Sequence, residues 1–540
     1  MRDTLIITDK TVPSPVPPAQ AYEYRIDGGN ISDEGTKIIN DPDKINQLGT
    51  DLAQTYTDGI ASLRQTMPWK TLHDETLGFL FYFTELNTKR TEINESYDAL
   101  VNAIYLREKL SNATIRFIYV YGSHFLKNDT LCSAFPEATI IRASKDTKRP
   151  CLRAVFINNL YYFLRFWLVA LSRWHVPKPK HDDLIAKRFF MTRFPGRLSA
   201  DEVEDKFFDL VCPDNRYIAG ILTDGMQQNL SFTKWWKVTA QAKQLKQTIF
   251  YDRYHHVSDG FAGFFWMLSL MAKISKSKIS LTIDKIDISQ IIRSEAIYSL
   301  YRLPRLITVS RALSRLYARI NTDHDHNKSI VYYLHEYGYG RMYTSLLARF
   351  FPHLKRIGMQ HGPASVRKLV YWLSPHERDD QTHNLTMPQA ILAEDPASAA
   401  LYRKMGYPHV LTMKSPPRLR KSFATSVTIS KNRLSLPFLI ATGLHDSDII
   451  ISMMAPIMAK NNSQEYLVKF HPKAIVSAET KAALPSNCTI VKEDISTLFA
   501  KIGRVYVTYS SVGNEAIDHG LDVCYVDIPG RVSERPDAKK

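Results

Sequence analysis

Three observations predict an α/β protein built on doubly wound parallel sheets. The chain has 540 residues, too many for one small core at roughly 100 to 200 residues per domain. Short β-branched and aromatic runs recur along it, each closed by glycine or small polar residues. Helix-length segments stand between those runs, and strand, loop, helix, strand is the unit of a parallel sheet.

Composition narrows the class. At 44% hydrophobic and 23% charged residues, neither a disordered chain nor a polytopic membrane protein fits. Lys plus Arg outnumber Asp plus Glu by 70 to 54, so the net charge of +16 favours polyanions or anionic headgroups as neighbours. The five cysteines are odd in number and far apart, with no zinc spacing, as in a reducing, cytoplasmic setting. The opening MRDTLIITDK is too short an apolar run for a signal peptide. The apolar stretch 151–174 is broken by Arg153, Arg165 and Arg173, so no spanning helix is expected there.

In chain order, TLIITD reads as a buried strand, and PSPVPP at 13–18 stops it from running into a helix. Residues 92–112 have helical character and 115–122, IRFIYVYG, is a strand ended by glycine. The region 150–328 is aromatic, basic and predominantly helical by pattern. Within it Arg311, Arg315 and Arg319 recur every four residues opposite Leu313, Leu316 and Ile320, which describes either a solvated helix face or a basic face for an anionic membrane. SIVYYLHEYGYG and LKRIGMQHG are strands ending in polar loops, with helix-like MYTSLLARF between them. The proline-containing stretch 384–436 reads as a crossing connection, with a domain boundary near 420–436. Beyond it strands and helices alternate from LPFLIATGL to DVCYVDIPG as a second doubly wound half. There is no internal sequence repeat and no low-complexity tract.

The chemistry is expected just past the carboxyl ends of strands, where open α/β sheets bind ligands. In the last domain one strand ends at His471, Pro472 and Lys473, and another at Ser510 and Ser511 with Glu515 one turn into the following helix. The serines and the helix start would hold a phosphate, His471 and Lys473 would add donors, and Glu515 would take ribose hydroxyls. The same Ser-Ser pair also reads as a simple helix cap, and Glu515 as a residue favoured by the helix dipole. Gly443, after LPFLIAT, completes the expected nucleotide set. In the first domain Glu336 follows a strand and precedes Gly338 and Gly340, where a carboxylate could accept a proton, or be an ordinary turn residue. His361, in QHG, could act as a base, bind phosphate, or cap a helix.

The combination of QHG, then FHPK and YSS, resembles bacterial GT-B glycosyltransferases of surface-polysaccharide (capsule or O-antigen) assembly, over about 329–530. Within that group it is similar to enzymes using CMP-activated acidic sugars of the nonulosonate or Kdo type, and also to CDP-polyol phosphotransferases of the teichoic-acid type. TRFPG at 192–196 resembles the middle of surface-carbohydrate biosynthesis proteins. The resemblance implies two Rossmann-like domains facing a cleft, an acceptor-side domain over 1–420 with a helical insertion at about 150–328, and a nucleotide-sugar domain over 421–540. It implies that His471 and Pro472 contact the nucleotide phosphate and aid leaving-group departure, and that Ser510 and Ser511 hold the same phosphate. Two features depart from the family. Its acidic base motif occurs literally only as Asp33, Glu34 and Gly35, so Glu336 is the preferred catalytic carboxylate, with His361 and His471 as the other catalytic candidates. The C-terminal helix that usually returns to the first domain has no counterpart in RVSERPDAKK.

The expected activity is metal-independent transfer of a sugar, with no cofactor, from a nucleotide-sugar donor, CMP-linked by preference, to a saccharide or lipid-linked acceptor. The setting is cytoplasmic, peripheral at the inner membrane. Nucleic acid is not an expected partner. Polyol-phosphate transfer using His361 and His471 as an acid/base pair, and a non-catalytic polyanion- or membrane-binding role, are the rivals.

Overall fold

The structure is a computed structural model. It describes residues 3–9, 21–27, 36–91, 94–122, 125–143, 152–179, 188–191, 215–221, 232–245, 248–320, 329–334, 337–360, 362–413, 435–472 and 474–536. The chain is a mixed α/β protein in which three parallel sheets share one winding pattern.

The first sheet takes β1 (Thr4–Thr8), β2 (Ala21–Arg25), β3 (Lys37–Ile38), β4 (Phe117–Tyr121) and β5 (Thr139–Arg142). Its order is β3-β2-β1-β4-β5. Helices α1 (Pro42–Ser62), α2 (Ser96–Lys109) and α3 (Asn128–Ala134) belong to the same stretch of chain. Pro42 at the first position and an Asp41 side chain accepting from the Lys44 amide explain where α1 begins.

A helical layer follows, with α4 (Leu152–Leu171), α5 (Phe232–Ala242), α6 (Val257–Lys276) and the long α7 (Ser289–Tyr317). Threaded through it are strands that a mainly helical middle region does not anticipate. They are β6 (Arg188–Met191), β7 (Asn215–Ala219) and β8 (Thr248–Phe250). With β9 (Ser329–Tyr333), β10 (Lys355–Met359), β11 (Ala390–Ala393) and β12 (Val410–Thr412) they form a seven-stranded sheet ordered β8-β7-β6-β9-β10-β11-β12. Runs of three to five residues inside an aromatic, basic background carry too little periodicity to separate strand from helix. The stretch read as a crossing connection is therefore partly sheet, since 390–412 supplies two strands and the helix α9 (Pro396–Lys404). Helix α8 (Gly338–Phe350), between β9 and β10, starts earlier than expected. Gly338 and Gly340 lie within it rather than in a loop. At Gly338 a Cβ would stand 2.5 Å from the Phe83 carbonyl oxygen, so glycine here serves close approach.

The third sheet is β13 (Phe438–Ala441), β14 (Tyr466–Lys469), β15 (Cys488–Ile490), β16 (Arg504–Val507) and β17 (Asp522–Tyr525), ordered β15-β14-β13-β16-β17, with α10 (Ser447–Lys460) and α11 (Ser511–Asp518). Every strand here matches a run read from the sequence. One continuous apolar core joins the first two sheets, from Leu5 and Ile7 to Ile330, Tyr332 and Val410. The third sheet has separate cores on its two faces, around Leu439 and Val505 and around Ile440 and Ile450.

The basic stripe of α7 is in part a seam with its neighbours, with Arg311 and Arg315 half-buried and Arg319, just past the helix, exposed. Arg315 grips Asp259 of α6 and donates to the Tyr254 carbonyl at 2.7 Å, Arg311 lies 3.9 Å from Asp74, and the Arg319 guanidinium lies over the Tyr254 ring. The sequence shows a charged face but not the carboxylates, distant in the chain, that fold onto it.

Glu295 of α7 ties that helix to the start of α2. Its carboxyl group meets the Ser96 amide and hydroxyl, each at 2.8 Å, and the Ser96 hydroxyl meets Tyr56 at 2.7 Å. Burial pushes this carboxyl up from 4.5 to about 8, against the pull of the Ser96 bonds. The folded protein thus holds a proton that the unfolded chain has released between those values. Stability should fall as pH rises from about 4.5 to about 8, by at most about 1.4 kcal/mol per pH unit, and level off above. Glu295→Gln, which mimics the protonated form, should flatten this dependence in urea unfolding, and its stability relative to the parent should increase steadily up to pH about 8.

Candidate functional site

In a sheet ordered like the third one, the chain leaves β13 toward one edge and β16 toward the other. The carboxyl ends of these two strands therefore leave a crevice between diverging connections. A cavity of about 190 Å³ lies at this point. Its floor is His445, Asp446 and Ile449 after β13, with Thr508 and Tyr509 after β16. Thr91, Glu95 and Asp98, at the start of α2 in the first sheet's unit, face them. The segment 526–534 forms the remaining wall.

Local sequence explains the floor. Gly443 lets the turn after β13 close, because a Cβ there would stand 2.7 Å from Asp446 Oδ1. The Thr442 and Ser447 hydroxyls meet at 2.8 Å, and Ser447 donates to the Gly443 carbonyl at 3.0 Å, which fixes the turn. Asp446 is buried and accepts from the Thr508 hydroxyl, which bridges the two strand ends. Burial raises its pKa, while the Thr508 bond and the local backbone amides pull it back.

The wall is held by Arg531. Its guanidinium makes a two-pronged contact with Asp27, at 2.7 Å through both Nε and Nη2, and reaches Asp98 at 3.2 Å. It also lies over the Phe125 ring, 4.7 Å from the centroid. Asp27, two residues past β2, has φ of 48°, a left-handed conformation that aspartate tolerates better than most residues. Burial pushes the Asp98 carboxyl up to about 6, against the pull of Arg531 and the Val532 amide. The backbone of the segment is bonded at several points. Pro529 O accepts from the Asp27 amide at 2.9 Å, Gly530 O from Asn102 at 2.9 Å, and the Val532 and Ser533 amides donate to Asp98 and Asn46 at 3.0 and 2.8 Å. Thr91 donates to Glu534, and Arg367, in the loop that follows QHG, donates to the Ser533 carbonyl. The carboxyl ends of the first and third sheets and the loop after β10 thus converge on one extended segment. Over the described residues it returns to the first sheet's unit in extended form.

The expected site residues fare unevenly. Glu336, His361 and Lys473 lie outside the described residues, as do Asp33, Glu34, Gly35 and 192–196. Gly443 shapes the cavity floor without lining it. His471 and Pro472 follow β14, and Ser510 and Ser511 follow β16, so both loops stand at the same carboxyl edge. The strand β13 separates them, which at about 4.8 Å per strand puts the loops roughly 10 Å apart. None of these four residues, nor Glu515, lines the cavity. The Ser510 hydroxyl accepts from the Val512 amide at 3.3 Å, so the capping role is realised. Glu515 is buried. The residues that do meet, Asp446, Thr508, Glu95, Asp98 and Arg531, were not singled out from the sequence. The available signal was GLHD after a strand, the same strand-then-polar pattern that marked HPK and YSS. Among the described residues no group of His, Cys, Asp and Glu is arranged to hold a metal ion.

The lining is acidic, with Glu95, Asp98, Asp446 and Glu534, while Arg531 is engaged by Asp27 and Asp98. Carboxylates in a partly buried cavity accept hydrogen bonds from hydroxyls and repel phosphates.

No family model matches the chain, and no curated protein matches it. A solved structure described as that of the "Glycotransferase of kitacinnamycin" is similar over 67% of this chain and 83% of its own, at 10% identity and a TM-score of 0.31. A likeness of that degree carries no inference about activity.

Removing Arg531 would strand two carboxylates in a largely buried setting. Arg531→Met should destabilise the protein by about 3 kcal/mol in urea unfolding, the scale for breaking one side of a buried ion pair. Asp27→Asn together with Arg531→Met should cost less than the sum of the single changes.

Proposed function

We propose that the chain is a glycosyltransferase that takes a nucleotide-activated sugar at the carboxyl edge of the third sheet and passes it to an acceptor held against the first two sheets. The observation that carries this reading is the cavity at the β13–β16 switch point, lined by carboxylates and walled by another unit of the same chain. An acidic lining suits the hydroxyls of a ribose or sugar. Asp446, Glu95 and Glu534 would accept from them. The phosphate would sit outside this lining, at the start of α11 beside Ser510 and Ser511, where the helix terminus offers positive potential. His471 would approach from the far side of β13 and assist the leaving group. The resemblance to surface-polysaccharide transferases favours a CMP-linked acidic sugar and a saccharide or lipid-linked acceptor at the inner membrane. The sugar's own carboxylate would then point away from the cavity, since like charges repel there. Glu336 is the proposed base that deprotonates the acceptor, and His361 would serve donor or acceptor binding. No metal or cofactor enters this scheme.

Thermal shift against CMP, CDP, UDP, GDP and their sugars tests the donor, because a ligand bound by the native state alone raises the melting temperature. A cytidine nucleotide should stabilise the parent. Asp446→Asn should weaken that binding about tenfold or more, the scale of a charge-assisted hydrogen bond, while leaving the fold intact. No stabilisation by any nucleotide would defeat the proposal, and turnover of CDP-polyols alone would redirect it to phosphotransfer.

Glu336→Gln should lower turnover with the true donor at least about 100-fold and leave nucleotide affinity unchanged. If that variant keeps parental turnover while His361→Ala loses it, the base is histidine.

A further inference from the structure

The longest apolar stretch in the chain has two faces. Helix α4 buries Val155, Asn159, Phe163 and Phe166. On the opposite side Ile157, Tyr161, Leu164, Leu168 and Leu171 recur at intervals of four, three, four and three residues and are all exposed, Leu171 by 65%. Helix α6 lies alongside it, joined by ring contacts of Trp167 with Phe261 and of Phe163 with Phe264. Gly260 and Gly263 permit this packing, since a Cβ at either would meet Trp167, Phe166 or Phe163 within 3 Å. The outer stripe of α6 continues the apolar surface with Phe261, Phe265 and Leu268. Trp174, 67% exposed, closes one end, with the guanidinium groups of Arg173 and Arg253 over its ring. Isolated exposed apolar residues are ordinary, whereas a contiguous pair of stripes marks an interaction surface.

Charge identifies the partner. Arg153, Lys178, Lys276 and Lys278 are exposed at the ends of the two helices. Helix α4 has no carboxylate, and the single one on α6, Asp259, is buried under Arg315. An apolar centre with an aromatic end and a cationic rim fits the headgroup and acyl boundary of an anionic bilayer. A second copy of the same positive face is disfavoured by like-charge repulsion. We propose that the outer faces of α4 and α6 dock this protein in the plane of an anionic lipid bilayer.

By length and composition α4 could cross a membrane, with 20 residues and a mean hydropathy of 1.4 over its most apolar 18. Its inner face binds it to the protein instead. Asn159 donates to the Leu300 carbonyl at 2.7 Å and accepts from the buried Arg305 at 3.1 Å. Moving α4 into the hydrocarbon would break both bonds and uncover that arginine, so only the outer face enters lipid. This surface is distinct from the basic stripe of α7, where Arg311 and Arg315 are half-buried against Asp74 and Asp259. It is also independent of the nucleotide cavity, so the failure of either proposal leaves the other standing.

The test is sedimentation of the full chain with vesicles of phosphatidylcholine, with and without phosphatidylglycerol, at low and high salt. The parent should partition onto the anionic vesicles, and salt should weaken but not abolish binding, because the apolar contribution is unscreened. Leu164→Glu with Phe265→Glu should reduce partitioning at least about tenfold. Its melting temperature should match the parent's, since both positions are exposed. Lys276→Glu with Lys278→Glu should reduce binding to anionic vesicles and leave binding to neutral ones unchanged. Parental binding by the Leu164/Phe265 variant, or no binding by the parent to either vesicle, would overturn the proposal. So would concentration-dependent self-association of the parent that the same variant abolishes without any vesicle binding.

Discussion

The contact between Arg531 and the carboxylates of Asp27 and Asp98 joins parts of the chain 504 and 433 residues apart. The first two sheets share a continuous core and would hold together by apolar burial alone, but the third sheet has its own cores on both faces. What fastens it to the rest, among the described residues, is largely an extended segment whose amides and carbonyls are bonded in turn to Asp27, Asp98, Asn102 and Asn46. Val532 adds a close apolar contact, since a Cβ at Gly49 would stand 2.6 Å from its Cγ1. A charge cluster is a costly way to join two units, because desolvation opposes the Coulomb attraction. It is nonetheless directional, and it sets the wall of the cavity relative to Asp446 and Thr508 in a way that apolar contact would not.

Much of the fold was legible in the sequence. TLIIT, FIYVY and SIVYY are β-branched and aromatic runs long enough to declare strands, and the last third of the chain alternates strand and helix with little interruption. The division of the first part of the chain into two sheets was missed because RFFM, NRYIA and TIF, three of the second sheet's seven strands, are short and sit among helices that are themselves rich in aromatic residues. The same winding order appears in all three sheets without any sequence repeat. Parallel strands buried on both faces ask only for apolar runs and right-handed crossovers, and many sequences meet that demand.

The site was less legible for a different reason. Strand ends with polar loops can be read locally, which brought HPK and YSS into view, and His471, Pro472, Ser510 and Ser511 stand at the carboxyl edge of the third sheet. Which loops meet across a cleft depends on strand order and on partners from elsewhere in the chain. Strand β13 lies between those two loops, and the cavity opens beside Asp446, whose importance comes from Thr508 and from the wall that Arg531 holds in place. The arginines of α7 teach the same lesson in reverse. Their four-residue spacing reads as an outward face, whereas Asp74 and Asp259 draw Arg311 and Arg315 against neighbouring elements and leave Arg319 exposed. Exposed apolar residues on α4 and α6 became visible only once the buried face of each helix was known.

The proposed donor site lies where the third sheet's switch point meets the segment held by Arg531. Hydrogen exchange of the full chain, with and without the nucleotide sugar that stabilises it, addresses this directly. Exchange should slow in 442–449, in 508–515 and in 527–535, with little change along α4 and α6. Protection confined to other loops, with these three segments exchanging as in the free protein, would contradict it.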